Sequence, residues 1–170
     1  MKVTGVGIQF AIQQQNKKIK MLDKKFKNGI KRFENDPKED LVAISKEIEQ
    51  NELLVAQLQS ILTNYNLRNM LDFDGERITL AEAIKITGVL DRTEVRWRGT
   101  VEDRDRYDRG EQRSNDTQYR EYSMTFDDRA AQQEKAQLKA ARMRKTIQLA
   151  NALPVELEVS RDMEQLISVC

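Results

Sequence analysis

The sequence predicts a mainly α-helical protein: an antiparallel coiled-coil hairpin or bundle of about four helices, with a small β-hairpin element. Composition and periodicity lead to this prediction. Of the 170 residues, 34% are charged and 6% are aromatic, and there are two prolines and seven glycines. Apolar residues also recur at heptad spacing in two long segments. This profile is typical of long, partly exposed helices rather than a thick globular core.

The length fits one helical domain over residues 1–170. We expect a coiled-coil hairpin over 1–65, a region with a turn, a helix and an Arg-Tyr-rich stretch over 66–130, and a C-terminal helix and tail over 131–170. The first helix is predicted from near Gly7 to near Phe33, roughly 40 Å in length. Its heptad positions are Ile12, Ile19, Phe26 and Phe33, with the interleaved set Ile8, Gln15, Leu22 and Gly29.

The second helix is predicted to start after Asp36, a good N-cap, with Pro37 at the first helical position and Glu39 completing a capping box. Its seam is Leu41, Ile44, Ile48, Asn51, Val55, Leu58, Leu62 and Tyr65. Residues 1–33 are rich in lysine and residues 34–52 are mostly acidic. The short connection and the opposite charges predict that the two helices pair as an antiparallel hairpin.

A turn at Asp74-Gly75 interrupts the helical pattern, and two very short strands, 70–73 and 77–78, are predicted to flank it. Thr79 and Glu82 then form a capping box that opens a third helix, ending near Glu102. Its apolar positions are Leu80, Ala83, Ile84, Leu90, Trp97 and Val101.

The alternation of Tyr122, Met124 and Phe126 predicts a short strand that pairs with the Phe73 region. A fourth helix follows, capped by Thr125 or Asp127 and ending near Asn151. Its seam is Ala136, Ala140, Met143, Ile147 and Ala150. Beyond Pro154, residues 155–159 alternate, and 162–170 form an amphipathic tail that is expected to dock on another surface, such as a second subunit.

The amino-acid composition argues against several classes of function. The sequence contains no histidine, which removes the commonest general base and histidine metal ligands. The net charge of +1 gives no support to nucleic-acid coating, and no apolar run has the length of a membrane helix. The single cysteine, Cys170, fits a cytoplasmic protein. We therefore expect a non-enzymatic cytoplasmic protein without a cofactor, and neither a membrane nor a nucleic acid as its partner.

The basic residues change type along the chain. Between Lys85 and Lys135 every one is arginine, and one tryptophan and three tyrosines lie in the same stretch. The planar guanidinium group matches phosphates bidentately and stacks on aromatic rings. The stretch therefore predicts a site for an anionic, nucleotide-like small molecule. We expect a homo-oligomer of this chain to sequester that molecule. If the protein comes from a phage, sequestration would remove a defence signal of the host. The candidate residues are Trp97, Arg98, Arg104, Arg106, Tyr107, Arg109, Arg113, Tyr119 and Arg120.

The same stretch allows other interpretations. Acidic residues match the arginines almost one for one, so the alternative is a structural or assembly protein whose Arg-Asp pairs are salt bridges at a subunit interface. A third interpretation is an enzyme that holds Mg²⁺ with acids such as Asp103, Asp105, Asp108 and Glu111. The spacing of these four acids matches no defined metal motif.

Several features occur in a fixed order: Asn64 and Asn66, the Asp74-Gly75 turn, Leu80 with Glu82-Ala83-Ile84, Asp105-Arg106-Tyr107 with Arg109, Ile147-Gln148 with Ala150-Asn151, and Glu156-Leu157. In these features, residues 61–157 resemble a family of small bacterial and phage helical proteins of unknown function, some of which carry the label septicolysin. The resemblance implies a helical hairpin bundle that associates into oligomers, and no settled activity. Asp108 stands where the family pattern has a serine.

Overall fold

The computed structural model describes residues 1–31, 40–102 and 123–168. These residues form five helices and four short strands, which confirms the predicted mainly α fold. The helices are α1 (Gly5–Ile30), α2 (Leu41–Arg68), α3 (Leu80–Glu102), α4 (Phe126–Ala152) and α5 (Arg161–Ser168). The strands are β1 (Lys2–Val3), β2 (Met70–Phe73), β3 (Glu76–Thr79) and β4 (Val155–Glu156).

The chain divides into two compact units. Unit 1 comprises Met1–Met70 and Ala150–Cys170, and unit 2 comprises Leu71–Leu149. Unit 1 is therefore built from two separate stretches of sequence. This division into two compact units does not test whether residues 1–170 form one domain, which stays a prediction.

Helices α1 and α2 pack as the antiparallel hairpin of unit 1. Lys18 forms a 2.9 Å ion pair with Glu47, and Gly5 lies against Tyr65 at the other end of the pair. Early residues of α1 therefore meet late residues of α2, as the short connection and the opposite charges predict. Every predicted seam position of α2 is buried or half-buried, and so are the predicted positions of α1 that lie within the helix.

The start of α2 differs from the prediction. The helix begins at Leu41, and the Asp40 carboxylate caps it by accepting hydrogen bonds from the backbone N–H groups of Val42 (3.1 Å) and Ala43 (3.0 Å). The predicted cap at Asp36 lies outside the described residues. An aspartate at either position can satisfy the exposed N–H groups of a first turn, so the residue type alone did not identify the cap.

Unit 1 is completed by the residues after α4. Strand β1 pairs with β4 in an antiparallel register that sets Lys2 opposite Glu156, a pairing that two-residue strands did not reveal in the sequence. Helix α5 packs on α1 with Met163 and Ile167 buried. The amphipathic tail therefore docks on its own chain, and this contact needs no second subunit.

In unit 2, strands β2 and β3 form the predicted hairpin around Asp74 and Gly75. Both residues have positive φ, 52° and 87°, as a tight two-residue turn requires. The predicted capping box is also confirmed. The Glu82 carboxylate accepts hydrogen bonds from the backbone N–H and the hydroxyl of Thr79, both at 2.8 Å, and these bonds lower the pKa of Glu82.

Helices α3 and α4 run antiparallel within unit 2, because Arg144 contacts Asp91 and Glu94, whereas Arg129 contacts Thr100. The buried seam of α4 is the predicted one, with Ala140 and Met143 fully buried. On α3 the prediction is wrong at Ile84, whose side chain is 45% exposed. Ile84 follows the buried Ala83 directly, and neighbouring helix positions point about 100° apart.

The strand predicted over Tyr122–Phe126 is wrong for the residues that the structure describes. Residues 123–124 form a bend, Thr125 is irregular, and α4 begins at Phe126. The Thr125 hydroxyl caps the helix by accepting the backbone N–H of Asp128 at 3.1 Å. This local cap outweighs a two-residue alternation that covers only three apolar positions. Strand β2 pairs with β3, rather than with this segment, among the described residues.

Candidate functional site

The structure describes two of the predicted site residues, Trp97 and Arg98, and both lie in the last two turns of α3. The Trp97 side chain is half-buried and that of Arg98 is exposed. The other seven fall within 103–122, outside the described residues: Arg104, Arg106, Tyr107, Arg109, Arg113, Tyr119 and Arg120. The predicted site therefore stays a prediction, and the described structure gives its surroundings.

A contact between Arg129 and Thr100 joins the two helices that border the segment 103–122. The Arg129 Nη1 donates a 2.6 Å hydrogen bond to the Thr100 carbonyl oxygen, in the last turn of α3. Its Nε donates to the Thr125 carbonyl oxygen at 3.4 Å, just before α4. One guanidinium group thus binds the backbone near the end of α3 and just before the start of α4.

Arg129 is suited to this position by burial and by charge. Only 7% of its surface is exposed, and its guanidinium carbon lies 6.0 Å from the centroid of the Phe126 ring. The last carbonyl groups of a helix carry partial negative charge and lack partners within the helix, so a cation there is favoured. In the sequence Arg129 is one arginine of the stretch between Lys85 and Lys135 and not a predicted site residue, because only the fold brings it to Thr100.

Aromatic side chains lie on both helices at this end of unit 2. Trp97 is one turn before the end of α3, where its carbonyl oxygen accepts a 2.7 Å hydrogen bond from the Thr100 hydroxyl. Phe126 opens α4 and is 36% exposed. Exposed or half-exposed rings can stack on a planar ligand. Phe126 was assigned to a strand in the sequence, so its place beside the segment was missed.

Arginines elsewhere in unit 2 bind carboxylates of their own chain. Arg144 contacts Asp91 at 2.6 Å and Glu94 at 3.0 Å, and these two acids raise its pKa. Arg142 and Lys139 contact Asp74 at 3.2 and 2.7 Å, and both cations also lie near the Phe73 ring. These pairs hold the β2–β3 hairpin and α3 against α4, and therefore have a structural role.

A second polar cluster lies in unit 1, around the hydroxyl of Tyr65. This oxygen is within hydrogen-bond distance of the carbonyl oxygens of Ala150 (2.8 Å) and Leu153 (2.7 Å), and its one proton can serve only one of them at a time. It accepts a hydrogen bond from Asn69 Nδ2 (3.0 Å), and the backbone N–H of Gly5 is a second nearby donor that favours the charged form of the phenol. Burial raises the pKa of the Tyr65 phenol, and these two donors partly offset the shift.

The Tyr65 cluster is mainly structural, because most of its polar groups bind one another. The side-chain oxygens of Asn66 and Asn151 are buried without a hydrogen-bond partner in the described part of the chain.

A cleft of about 180 Å³ lies in the same unit, lined by Ile61, Asn64, Arg68, Leu157 and Glu158. It is small for a ligand site, and its two charged side chains have opposite signs.

Two other features, a metal cluster and a membrane-spanning helix, are absent from the ranges 1–31, 40–102 and 123–168. Within them, no group of three or more Cys, Asp or Glu residues is arranged to hold a metal ion. No helix in these ranges is long and apolar enough to cross a membrane. Asp103, Asp105, Asp108 and Glu111, the acids considered for Mg²⁺, lie outside them.

Comparison with known proteins finds one whose fold is similar to that of this chain. No family model and no curated protein matches the sequence. A crystal structure of a functionally unknown conserved protein from Corynebacterium diphtheriae is similar, with a TM-score of 0.68 and 14% sequence identity over 92% of this chain and 100% of that chain. At this identity the likeness concerns the fold alone. The resemblance of residues 61–157 to the septicolysin-labelled family stays a prediction.

Proposed function

We propose that this chain is a non-enzymatic, oligomeric binding protein of the cytoplasm that sequesters an anionic, phosphorylated small molecule. The Arg129–Thr100 contact is the observation that supports the proposal best. It joins the end of α3, which carries Trp97 and Arg98, to the start of α4, and the sequence between these two helices contains five arginines and three tyrosines. A chain segment with both ends fixed loses less conformational freedom when it binds a ligand.

The residue types suit the proposed ligand. Arg104, Arg106, Arg109 and Arg113 are proposed to bind its phosphate groups, with Arg98 and Arg120 adding positive charge. Trp97, Tyr107 and Tyr119 are proposed to stack on its planar group. Phe126, 36% exposed at the start of α4, is proposed to add a further ring to this site.

Native mass spectrometry of protein purified gently from cells tests this proposal. A retained phosphorylated compound, identified after denaturation, would support it and name the ligand. Arg106→Ala and Tyr107→Ala are expected to abolish binding while leaving the oligomer intact. Arg92→Ala, an exposed arginine on α3, is the matched control and should retain the ligand. If neither purified nor nucleotide-incubated protein carries any bound mass, the proposal is wrong.

The second candidate is a structural or assembly protein. It is favoured by the large apolar side chains exposed on the described helices, such as Met21, Val42 and Leu149, each more than 60% exposed. Exposed apolar patches often mark protein contacts. In this case the arginines of 103–122 would form salt bridges between subunits, and Arg106→Ala would dissociate the oligomer rather than remove a ligand.

A further inference from the structure

The exposed face of α1 carries a row of lysines that the proposed function does not use. We call it the lysine row: Lys17, Lys20, Lys24, Lys27 and Lys31. Successive members are three or four residues apart, so the row follows one face of the helix and ends at its C-cap, over a length of about 21 Å. All five side chains are exposed, and the apolar seam of α1 lies on another face, against α2.

Most of the charge of the lysine row is not compensated by the described residues. Lys27 pairs with Asp23 at 3.1 Å, and the other four lysines make no ion pair within the described part of the chain. Asp23 is also the one acidic residue of α1. The ion pair between α1 and α2 uses Lys18, which lies outside the row. The net charge of +1 therefore conceals a strongly basic strip, because the acids that balance it lie elsewhere in the chain.

The lysine row is complementary to the backbone of a nucleic acid. Each strand of a DNA duplex presents one phosphate per 3.4 Å of axis, so about 21 Å of axis holds roughly six phosphates of one strand. Lysine binds such phosphates as a point charge, without reading the bases. The exposed residues beside the row include the amides Gln13, Asn16 and Asn28, whose N–H groups can also donate to phosphate oxygens.

The residues around the row favour a duplex over a single strand. Proteins that bind single strands stack the bases on aromatic side chains. Phe26 is the one aromatic residue in the sequence from 13 to 31, and it is half-buried at the seam. A duplex needs no such ring, because its bases stay stacked and its phosphates face outwards.

The fold of α1 also favours a duplex over a membrane. Helices that bind a membrane surface place their apolar face among the lipids, whereas the apolar face of α1 is covered by α2. Met21 and Ile30 are exposed within the span of the row. They are nine residues apart, which places them on opposite sides of the helix, so they do not form a surface for insertion.

We propose that the lysine row binds the phosphate backbone of a nucleic-acid duplex without sequence preference. DNA and RNA duplexes share this chemistry, and the experiment below distinguishes them. The proposal replaces the expectation that nucleic acid is not a partner, which depended on the net charge of the whole chain. It is independent of the small molecule proposed for residues 103–122.

The salt dependence of binding tests this proposal. Fluorescence anisotropy measures the affinity for a short DNA duplex, for a second DNA duplex of unrelated sequence and for an RNA duplex. Five lysine–phosphate contacts predict a slope of about −4.5 for the logarithm of the DNA association constant against that of the salt concentration, which is a loss of roughly 500-fold between 50 and 200 mM. The two DNA duplexes should bind equally.

Charge removal within and outside the row locates the contact. Lys17→Gln/Lys20→Gln/Lys24→Gln keeps good helix formers and should reduce the slope to about −1.8, with a loss of affinity of at least about tenfold. The control removes the same charge at exposed lysines of α2, α3 and α4 and should bind like the wild-type protein: Lys46→Gln/Lys85→Gln/Lys145→Gln. Circular dichroism verifies that both variants are folded.

Three results would overturn the proposal. The first is that neither DNA nor RNA duplexes bind at about 50 mM salt, where the backbone attraction is strong. The second is that both triple variants weaken binding equally, because the row would then have no special role. The third is that vesicles containing phosphatidylserine bind in a row-dependent manner while the duplexes do not, since the row would then recognise a membrane surface.

Discussion

The hydroxyl of Tyr65 lies 2.8 Å from the carbonyl oxygen of Ala150, 85 residues away in the sequence. The contact connects the end of α2 to the end of α4 inside unit 1. The same carbonyl accepts a 2.8 Å hydrogen bond from Asn69 Nδ2. A phenol placed here therefore links two helix ends through polar groups that are shielded from water, where an unsatisfied group is costly.

Tyr65→Phe should lower the free energy of unfolding by about 1–3 kcal/mol, because the ring is retained while buried donors and acceptors lose a partner. Urea denaturation followed by circular dichroism measures the change. Ser45→Ala removes an exposed hydroxyl from the same helix and should have little effect. Equal stability of the Tyr65→Phe and wild-type proteins would show that the hydroxyl contributes nothing.

The pH dependence of stability provides a second test of Tyr65. Burial raises its pKa above the ordinary value of 10.0. Between these two pKa values the folded protein holds a proton that the unfolded chain has lost, so the stabilisation is complete below pH 10 and is lost as the pH rises further. Denaturation between pH 8 and 11 should show a steeper loss of stability in the wild-type protein than in Tyr65→Phe.

Gly5→Ala should destabilise unit 1. A methyl group at Gly5 would lie 2.7 Å from Tyr65 Cε1 and even closer to Asn151 Oδ1, so packed side chains would have to move. Such overpacking costs about 1–3 kcal/mol. Gly99→Ala is the control, because no atom of the described residues lies within 4 Å of its added methyl group and alanine favours the helix. The two variants should change the melting temperature in opposite directions.

Arg129→Met should loosen the junction between α3 and α4. The substitution keeps much of the side-chain length but removes the bonds to Thr100 and Thr125. Hydrogen exchange of the last turn of α3 should become faster by at least about tenfold, as expected when a helix end loses a bond worth roughly 1.5 kcal/mol. Arg92→Met on the exposed face of α3 should leave this exchange unchanged. An unaltered rate in Arg129→Met would exclude the anchoring role.

Asp74→Asn tests the ion pairs that hold the β2–β3 hairpin against α4. Asparagine also tolerates positive φ, so the turn should persist while the pairs with Lys139 and Arg142 are lost. Lys139, by hydrogen bonding, lowers the pKa of Asp74 below 3.8. The stabilisation is therefore present above pH 3.8 and lost as the pH falls through the lower, folded-state pKa.

The melting temperature of Asp74→Asn should fall slightly at neutral pH and low salt. The difference from the wild-type protein should shrink in 1 M salt, because the paired groups are exposed and screened. It should also disappear in strong acid. A difference that is independent of both salt and pH would mean that the substitution acts through the turn itself.

Sequence periodicity predicted the helices well where each one has a single buried face. Each position of the seam from Leu41 to Tyr65 is buried or half-buried, because a heptad pattern and a long helix reinforce each other. The capping box at Thr79 and the Asp74-Gly75 turn were also predicted, since both depend on residues close together in sequence. Thr125 is one of the two caps that the sequence predicts for α4, whereas the strand predicted up to Phe126 is wrong, because an alternation of three apolar positions is a weak signal.

Sequence patterns did not predict the long-range contacts. Strand β1 has two residues, and its partner β4 lies about 150 residues away, so neither has a pattern of its own. No local pattern distinguishes Arg129 from the other arginines of the sequence, and its contact with Thr100 depends on the fold. Tyr65 appeared only as the last apolar position of a seam. In each case the deciding interaction depends on three-dimensional proximity rather than residue spacing.

The division of the chain has a consequence for biosynthesis. Unit 2 is one continuous segment, Leu71–Leu149, whereas unit 1 needs residues from both sides of it. As the chain leaves the ribosome, the α1–α2 hairpin can form early, but β1 must wait for β4, and α1 must wait for α5. The nascent protein therefore lacks both the β1–β4 pairing and the packing of α5 on α1 until residues 155–168 have been synthesised. Contacts of such high sequence separation form slowly, which makes this interval the period of greatest exposure to aggregation and chaperone binding.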